Sequence, residues 1–422
     1  MRVLLVNKFF HRYGGPETQM FRHADLLRRD GHEVAFFSMH HSRNEESEWS
    51  RYFVSSIELS GPGKPRDLRG RLRAAMRFLY SGEAARKIGA LVRDWRPDVA
   101  ICYNIYHQLS PSILPVLRRA GVRTLLTLRD YKLICPNYTL MTWDGLCERC
   151  LGGKYWNSVR HKCVGGSTVE STLCACEGWL HRMLRLYRNA DVLVSPSNFL
   201  FGRLAADGFY ARMPMARLVN AIDMGPRPTH CSGGYVLYVG RLGWEKGLEV
   251  LIGAAATLRE HRFVLAGRGP QEPKLRKLAQ QLGAGNVEFA GQLGGEDLRV
   301  AYAGAACLVM PSTWYENCPN VLIEAGKYGK PAVVSNIGGM VELVDDGITG
   351  LHFRVGDAED LAGKLSCLLT DPDLQEGMGR KAREKAEAEW TIERHFERLL
   401  ALCRGEGDPG VRPDDIVRWR GD

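Results

Sequence analysis

The stretch ACLVMPSTWYENCPNVLIEAGKYG, residues 306–329, contains a strand, a loop and the start of a helix. Its apolar run up to Ser312 predicts a buried parallel strand. Glu316 lies in the loop, and PNVLIEAGKYG predicts a helix with Pro319 near its first turn, where proline is tolerated. Glu324 follows on that helix. In an open α/β sheet, the crevice beyond the carboxyl ends of the strands would hold both carboxylates.

A second strand-loop-helix stretch, YVLYVGRLGWEKGLEVLIGAAATLRE, begins at Tyr235. The β-branched run up to Gly240 predicts another buried strand, and the segment from Leu248 predicts a helix. A glycine loop before a helix N-terminus favours anions, because the first helical N–H groups lack partners. Arg241 can bind two phosphate oxygens through its planar fork, and Lys246 supplies a point charge.

Two cations and two carboxylates in one half of the chain match the needs of a nucleotide-diphosphate sugar. The cations would neutralise the diphosphate, and the carboxylates would accept hydrogen bonds from sugar hydroxyls. Any one of these residues taken alone is most often a solvated surface charge. The four together, in the strand-loop-helix context that such a site requires, predict a binding site for the donor sugar.

Nearly the whole chain resembles the retaining glycosyltransferases of family 4, the glycosyl transferases group 1. The N-terminal MRVLLVNKFFHRYGGPETQ is similar to the family's first strand and glycine loop, and FVLAGRGPQEPKLRKLA, NVEFAGQL and DAEDLAGKL follow the order of its C-terminal domain. The resemblance implies an α/β protein with the GT-B fold, in which two Rossmann-like doubly wound domains face each other across a cleft.

The domain boundaries that we predict follow from this resemblance. Residues 1–225 form the N-terminal, acceptor-side domain, with a cysteine-bearing insertion at about 132–180. Residues 226–392 form the domain that binds the donor, and residues 393–422 contain a helix that crosses back to the N-terminal domain, followed by a tail.

The resemblance also implies roles in sugar transfer with net retention and without a catalytic metal. Arg241 and Lys246 would stabilise the leaving phosphate, Glu316 would contact the donor sugar, and Glu324 would bind the ribose. The remaining donor-binding residues that it implies are Gly14, Gly15, Gly240, Asn320 and Val321. The single D-x-D sequence, which starts at Asp371, contains a proline and predicts a helix cap or a turn rather than a metal site.

Glycine at positions 14 and 15 would permit positive φ and a close approach of the backbone to a phosphate or sugar. On the acceptor side, VAICYNIYH and RTLLTLRDY predict strands whose carboxyl ends carry His107, Arg129 and Asp130. Asp130 is also a catalytic candidate. Many family members have histidine where this chain has Arg129, and an arginine is a permanent cation. Two interpretations stay open: Arg129 contacts a phosphate or acidic acceptor, or it forms a structural ion pair with Asp130.

Six of the 12 cysteines fall within residues 135–176. The first four have the spacing C-x11-C-x2-C-x12-C, which fits a tetrahedral structural zinc site. An iron–sulfur cluster and unligated thiols are the alternatives. A zinc ion here would order a lid on the acceptor side rather than take part in chemistry. The predicted zinc ligands are Cys135, Cys147, Cys150 and Cys163.

Composition and charge fit a large soluble enzyme that is 45% hydrophobic and 25% charged. No apolar run is long enough for a transmembrane helix, and the short first run predicts a strand, not a signal peptide, so we expect a cytoplasmic protein. Residues 1–220 carry a net charge of +14 and the rest −5. Residues 64–80 form the densest basic stretch, which fits a helix on the inner, anionic membrane face or a solvated face over the core. We find no nucleic-acid-binding module.

Together these features predict a retaining glycosyltransferase that moves a hexose from a nucleotide-diphosphate sugar to a hydroxyl of a glycan or lipid-linked acceptor in surface polysaccharide synthesis. The alternative is a catalytically inactive protein on the same scaffold, which either binds nucleotide sugars or acts as a zinc-ordered interaction module. Fold alone does not separate these hypotheses.

Overall fold

A computed structural model describes residues 1–12, 14–56, 68–225 and 234–406, without the side chains of residues 68 and 71–73. The chain forms two compact units. The N-terminal unit comprises residues 1–142, residues 147–218 and the chain from Phe396 onward, and the C-terminal unit comprises residues 143–146 and 219–395. Each unit contains its own six-stranded sheet.

The first half of the chain alternates strands and helices, as expected for a parallel sheet with helical crossovers. Its strands are β1 (Arg2–Val6), β2 (Glu33–Phe37), β3 (Val99–Cys102), β4 (Arg123–Thr127), β5 (Met141–Thr142), β6 (Gly145–Leu146), β7 (Val192–Ser195) and β8 (Met215–Arg217). Its α-helices are α1 (Gly15–Arg29), α2 (Leu68–Leu79), α3 (Gly82–Trp95), α4 (Leu114–Arg119), α5 (Trp156–Arg160), α6 (Thr168–Met183) and α7 (Asn198–Asp207).

The N-terminal sheet has the order β2-β1-β3-β4-β7-β8, with every neighbouring pair parallel. Its strands are apolar because helices cover both faces, and Val3 to Val6 are fully buried. The chain moves in one direction from β1 to β2 and in the other from β3 onward. The carboxyl ends of β1 and β3 therefore flank the switch point, where open α/β sheets bind ligands.

The second half repeats this arrangement. Its strands are β9 (Tyr235–Val239), β10 (Arg262–Ala266), β11 (Val287–Gly291), β12 (Ala305–Met310), β13 (Ala332–Ser335) and β14 (Gly350–Phe353). Its α-helices are α8 (Leu248–Thr257), α9 (Glu272–Gln281), α10 (Gly295–Gly304), α11 (Asn320–Lys327), α12 (Met340–Leu343), α13 (Ala358–Thr370), α14 (Pro372–Glu389) and α15 (Ile392–Arg404).

The C-terminal sheet is also fully parallel, with the order β11-β10-β9-β12-β13-β14. Its switch point lies between β9 and β12, which are the two strands predicted from the donor motifs. The two doubly wound sheets confirm the predicted fold class of each half. The Asp371 side chain accepts a hydrogen bond from the Leu374 N–H and caps α14, so this aspartate is a helix cap as predicted.

Helix α15 begins in the C-terminal unit and ends in the core of the N-terminal unit. Leu399 and Leu402 pack with Val3 and Phe21, and Arg123 Nε donates a 2.9 Å hydrogen bond to the Leu402 carbonyl. The tail from residue 407 and the boundary segment 226–233 lie outside the described residues. Within the described part of the chain, no helix has the length and apolar character that crossing a membrane requires.

Several predicted elements are longer than the observed ones. The predicted strand VAICYNIYH ends after Cys102, because Cys102 pairs with Val6, the last residue of β1. Helix α8 ends at Thr257 rather than at the predicted Glu260. The shortening of β3 leaves Asn104 and His107 in the loop beyond the sheet, where side chains can take part in a site.

Candidate functional site

The loops after β9 and β12 are in direct backbone contact. Gly247, which precedes α8, has φ +63°, and a Cβ atom there would lie 2.0 Å from the Pro311 carbonyl oxygen. Only glycine fits both the backbone conformation and this contact. The contact brings Lys246 to the loop that contains Glu316.

Lys246 and Glu316 form an ion pair, with Nζ 2.5 Å from Oε1. The Ser312 hydroxyl donates to the same carboxylate oxygen at 3.0 Å, and Lys246 Nζ lies 5.3 Å from the centroid of the Trp314 ring. Only 16% of the lysine side chain and 9% of the glutamate side chain are exposed. The structure therefore joins two residues that the sequence predicted separately, and a diphosphate would have to compete for this lysine.

The backbone around Glu316 is also fixed. The Gly339 N–H donates a 2.6 Å hydrogen bond to the Glu316 carbonyl oxygen. Gly338 has φ +65°, and a Cβ atom there would lie 2.8 Å from that oxygen. The connection between β13 and α12 thus holds the loop, so the carboxylate is positioned before any ligand binds.

Arg241 forms an ion pair with Glu245 but remains largely exposed to solvent. Its Nη2 lies 2.5 Å from Glu245 Oε1, and 65% of its side chain is exposed, compared with 8% for Glu245. The Tyr238 hydroxyl donates to the Arg241 carbonyl at 2.9 Å. Glu245 is not among the residues predicted from the sequence. Its position between Arg241 and Lys246 is the one sequence feature that could have indicated its place in the site.

A cavity of about 290 Å³ lies at the carboxyl ends of β9, β10 and β11. A Cβ atom on Gly267, at φ +155°, would lie 1.8 Å from the Gly240 carbonyl oxygen, so the strands approach closely here. Arg268 was missed, although FVLAGRG repeats the strand-glycine-arginine pattern of YVGR. The cavity adds a second arginine beside Arg241 and is lined by Gly240, Arg241, Gly267, Arg268, Gln292 and Leu293.

Glu324 is half-buried on α11 and accepts a 2.7 Å hydrogen bond from the Tyr302 hydroxyl. Burial raises the pKa of Glu324, and the Tyr302 hydrogen bond offsets this only in part. Asn320 Oδ1, in the first turn of α11, accepts from Asn220 Nδ2 at 2.8 Å, and Val321 is the next residue of this turn. Tyr302 was missed because α10, which contains it, shows no motif of its own.

The prediction that Gly14 and Gly15 use positive φ is wrong. Gly14 has an extended φ of −157°, Gly15 is the first residue of α1, and neither has positive φ. A Cβ atom on Gly15 would meet nothing within 4 Å, so the folded chain by itself does not require glycine here. Their contact with a donor phosphate remains a prediction. Glu17, in the first turn of α1, is buried and accepts from Asn7 Nδ2 at 3.0 Å.

Asp130 lies just beyond the end of β4. Its Oδ1 accepts a 2.9 Å hydrogen bond from the Lys132 N–H, and the Tyr106 hydroxyl also donates to the carboxylate. Burial raises the pKa of Asp130 although these donors and Lys8 oppose the shift. Burial has the opposite effect on Lys8, whose pKa it lowers, and the negative charges of Glu17 and Asp130 offset part of this shift. Arg129 lies close enough to Tyr103 to affect its ionisation.

His107 belongs to a buried charged group at the end of β3. Its Nδ1 lies 3.0 Å from Glu177 Oε1, and Lys132 Nζ lies 2.8 Å from Glu177 Oε2. The Phe78 ring stacks on the imidazole with centroids 4.1 Å apart. Glu177 and Lys132 were not singled out from the sequence, although Lys132 follows Asp130 by two positions in RDYK.

The four predicted zinc ligands are free thiols, with Cys135 and Cys150 buried. Burial is the largest cause that raises the pKa of Cys150 to about 12, and Cys135, Cys147 and Cys163 raise it further, which places the four thiols near one another. Across the described ranges, no three or more His, Cys, Asp or Glu side chains are arranged to hold a metal ion. Zinc binding remains a prediction.

The basic stretch 64–80 is described only from α2 onward, and Lys64, Arg66 and Asp67 lie outside the described residues. Ala74 and Phe78 are buried on one face of α2, whereas Met76 is 55% exposed. Arg77 forms a 2.9 Å ion pair with Glu83. A contact of this helix with a membrane remains a prediction.

Comparison with known proteins gives consistent matches for both halves. Residues 14–219 match a family model described as "Glycosyl transferase 4-like domain", and residues 232–385 match "Glycosyl transferases group 1". The sulfoquinovosyl transferase SQD2 of Arabidopsis thaliana is 39% identical over 219 residues, covering 48% of this chain and 42% of that protein, so the chain spans less than half of this relative. The lipopolysaccharide core biosynthesis glycosyltransferase LpsE of Rhizobium meliloti is 29% identical over 226 residues, covering 52% of this chain and 66% of that protein.

Among solved structures, Anabaena HepE in complex with UDP and glucose superimposes with a TM-score of 0.65 at 16% identity, covering 96% of this chain and all of that one. At this identity the likeness shows the fold alone, which is that of GT-B proteins.

Proposed function

Since the chain belongs to the glycosyl transferases group 1 and has their GT-B fold, we propose that it transfers a hexose from a nucleotide-diphosphate sugar to a hydroxyl group. The observation that carries the proposal is the Lys246–Glu316 ion pair, which lies with Arg241 beside the switch point of the C-terminal sheet. Cations for a diphosphate and a carboxylate for a sugar occur together where α/β sheets bind ligands.

In the reaction that we propose, an acceptor hydroxyl attacks the anomeric carbon of the donor sugar. The bond from that carbon to the β-phosphate oxygen breaks, and its electron pair goes to the leaving nucleoside diphosphate. Arg241 and Lys246 stabilise the charge that develops there, which is usually the largest catalytic contribution. The leaving phosphate takes the acceptor proton, and attack from the face that it leaves gives retention.

The carboxylates have separate roles in this proposal. Glu316 accepts hydrogen bonds from donor-sugar hydroxyls, because Lys246 and Ser312 hold its carboxylate in place. Glu324 accepts hydrogen bonds from the ribose. Gly240, Asn320 and Val321 complete the donor site, and Gly14, Gly15, Arg129 and Asp130 contact donor phosphate or acceptor in the N-terminal unit.

For the biological role we propose surface polysaccharide synthesis on a glycan or lipid-linked acceptor at the inner face of the membrane. The likeness to a lipopolysaccharide core glycosyltransferase supports the polysaccharide. The basic helix α2, with Met76 exposed, supports a peripheral contact with anionic lipid through residues 64–80.

The proposal is tested by thermal shift with UDP, GDP, ADP and their sugars. A ligand that binds only the folded chain raises its melting temperature by mass action. We expect one nucleotide to do so selectively, and we expect Arg241→Ala and Lys246→Ala each to abolish the shift. The sugar of that nucleotide should then be consumed by the wild-type chain.

Arg276→Ala is the matched control. Arg276 is an exposed arginine with a glutamate partner four residues away, as is Arg241, but it lies on α9 outside the site. Its variant should keep the full thermal shift. If no nucleotide shifts the folded wild-type chain, the donor site is refuted, and a shift without turnover would favour the inactive nucleotide-sugar-binding protein.

A further inference from the structure

The insertion after β4 contributes a charged residue to the end of β3. Glu177 lies on α6, its side chain is fully buried, and it contacts His107 through one carboxylate oxygen and Lys132 through the other. A buried ion pair contributes little net stability once desolvation is counted. The location of this pair at the switch point of the N-terminal sheet therefore calls for a different explanation.

The protonation states in this group follow from its geometry. Burial pushes the pKa of Glu177 up, but Lys132 and His107 outweigh burial and hold it at about 2. Burial lowers the pKa of His107, and the nearby carboxylate offsets only part of that effect, while Lys132 and Lys8 lower it further. At neutral pH the imidazole is therefore neutral and the carboxylate ionised.

An ionised carboxylate can only accept hydrogen bonds. His107 Nδ1 must therefore carry the ring hydrogen, and the lone pair must lie on Nε2. None of the residues that the structure describes forms a hydrogen bond with Nε2, and 21% of the side chain is exposed. This nitrogen is thus available to accept a hydrogen bond from a bound hydroxyl.

The backbone and the neighbouring ring fix the imidazole further. His107 has φ +63°, a conformation that residues other than glycine adopt at an energetic cost and that clusters at functional sites. Phe78 stacks on the ring at an interplanar angle of 12°. The Asn104 side-chain oxygen, three residues earlier, is buried and has no hydrogen-bond partner within the described ranges, so this loop has a second unused acceptor.

We propose that Glu177, supported by Lys132, is a positioning residue that fixes the ring hydrogen of His107 on Nδ1, so that Nε2 accepts a hydrogen bond from a hydroxyl of the bound acceptor next to the one that attacks. This inference rests on the proposed transferase function and deepens it. The insertion then has a defined part in the reaction, because its helix α6 orients the residue that holds the acceptor. The proton of the attacking hydroxyl still goes to the leaving phosphate.

The first test is nuclear magnetic resonance of the full-length chain with ¹⁵N-labelled histidine, which distinguishes the two neutral tautomers and the imidazolium. We expect neutral His107 with hydrogen on Nδ1 at pH 7, and a change of tautomer or protonation in Glu177→Gln. A wild-type chain with hydrogen on Nε2, or with a charged ring, would overturn the inference.

The second test measures release of nucleoside diphosphate from the sugar nucleotide found by thermal shift, with n-octyl β-glucoside as the hydroxyl acceptor. We expect Glu177→Gln and His107→Phe to lower kcat/KM for the glucoside at least tenfold, with the KM for the donor unchanged. The matched control is Asp207→Asn, which removes a fully buried carboxylate of α7 from its ion pair with Arg182 on α6.

The outcomes separate this inference from the proposed function. If Asp207→Asn lowers transfer as much as Glu177→Gln, the effect is structural and the inference fails. If the Glu177 and His107 variants transfer at the wild-type rate, it also fails while the transferase stands. If the wild-type chain neither binds a nucleotide nor releases one, the proposed function fails, and the tautomer measurement still decides whether Glu177 positions His107.

Discussion

Replacing Glu316 with glutamine should weaken both the fold and the reaction, by different amounts. The change removes one charge from the Lys246–Glu316 ion pair while keeping a side chain of similar size. Both partners are mostly buried, with 16% and 9% of their side chains exposed, so solvent screens the pair only weakly. Lys246 would be left as a cation with no carboxylate in contact.

The magnitude follows from this burial. A hydrogen bond to a charged group contributes about 1.5–3 kcal/mol, and breaking a fully buried ion pair costs about 3–5 kcal/mol. Because glutamine can still accept from Ser312, we expect a loss of about 2–3 kcal/mol. A domain of this size loses about 2–4 °C per kcal/mol, which gives a fall in melting temperature of about 4–12 °C.

The loss of transfer should be larger than the loss of stability. Removing one hydrogen-bonding group from an active site costs about 10²–10³ in rate, so transfer should fall by about that factor. Binding of the nucleoside diphosphate without sugar should persist, because in this variant Lys246 has no ion pair with residue 316 to break before it contacts the diphosphate. Calorimetry, thermal melts and donor turnover on one preparation measure all three quantities.

The matched control is Glu288→Gln, which breaks the exposed Arg262–Glu288 pair on the same sheet. Exposed pairs contribute about 0–1 kcal/mol, so its melting temperature should fall by less than about 4 °C and its turnover should not change. The reasoning would be refuted if the Glu316 variant melted like this control, or if it turned over donor at the wild-type rate.

Three further predictions concern pH and metal. Burial raises the pKa of Glu324, whose ionised form accepts hydrogen bonds from the ribose in the function that we propose. Nucleotide affinity should therefore be lost as pH falls through that pKa, at a higher pH than for an exposed glutamate, and Glu324→Gln should remove this dependence in calorimetry. Because Lys132 and His107 hold the pKa of Glu177 at about 2 in the folded chain, below its usual 4.5, protonation of Glu177 destabilises the fold as pH falls from 4.5 toward 2, so the stability of Glu177→Gln in denaturant melts should depend less on pH across this window. Plasma mass spectrometry should find about one zinc per chain, which Cys150→Ser should remove and Cys367→Ser, outside the cluster, should not.

Each of these has an outcome that contradicts it. Parallel pH profiles for wild type and Glu324→Gln would mean that phosphate protonation alone sets the dependence. An equal loss of stability on acidification in Glu177→Gln would place the effect in other titratable groups. Zinc well below one per chain in the wild type would leave the four cysteines as unligated thiols.

The sequence by itself determined the repeated strand-loop-helix units and the charged residues at their carboxyl ends that we propose bind the donor. Buried parallel strands appear in the sequence as apolar runs, and Gly240, Arg241 and Glu316 follow those runs by only a few residues. Local spacing is enough here, because a strand end and the loop that follows it remain neighbours in any fold. The helix cap at Asp371 was predictable for the same reason.

The tertiary structure alone decided which charges meet. Lys246 and Glu316 are 70 positions apart, as are His107 and Glu177. The strand lengths were also decided by pairing, since β3 stops where β1 stops. No local pattern specifies such partners, because contacts between distant residues depend on the order of the strands in the sheet. They also depend on glycines such as Gly247, whose lack of a side chain lets two loops come into contact.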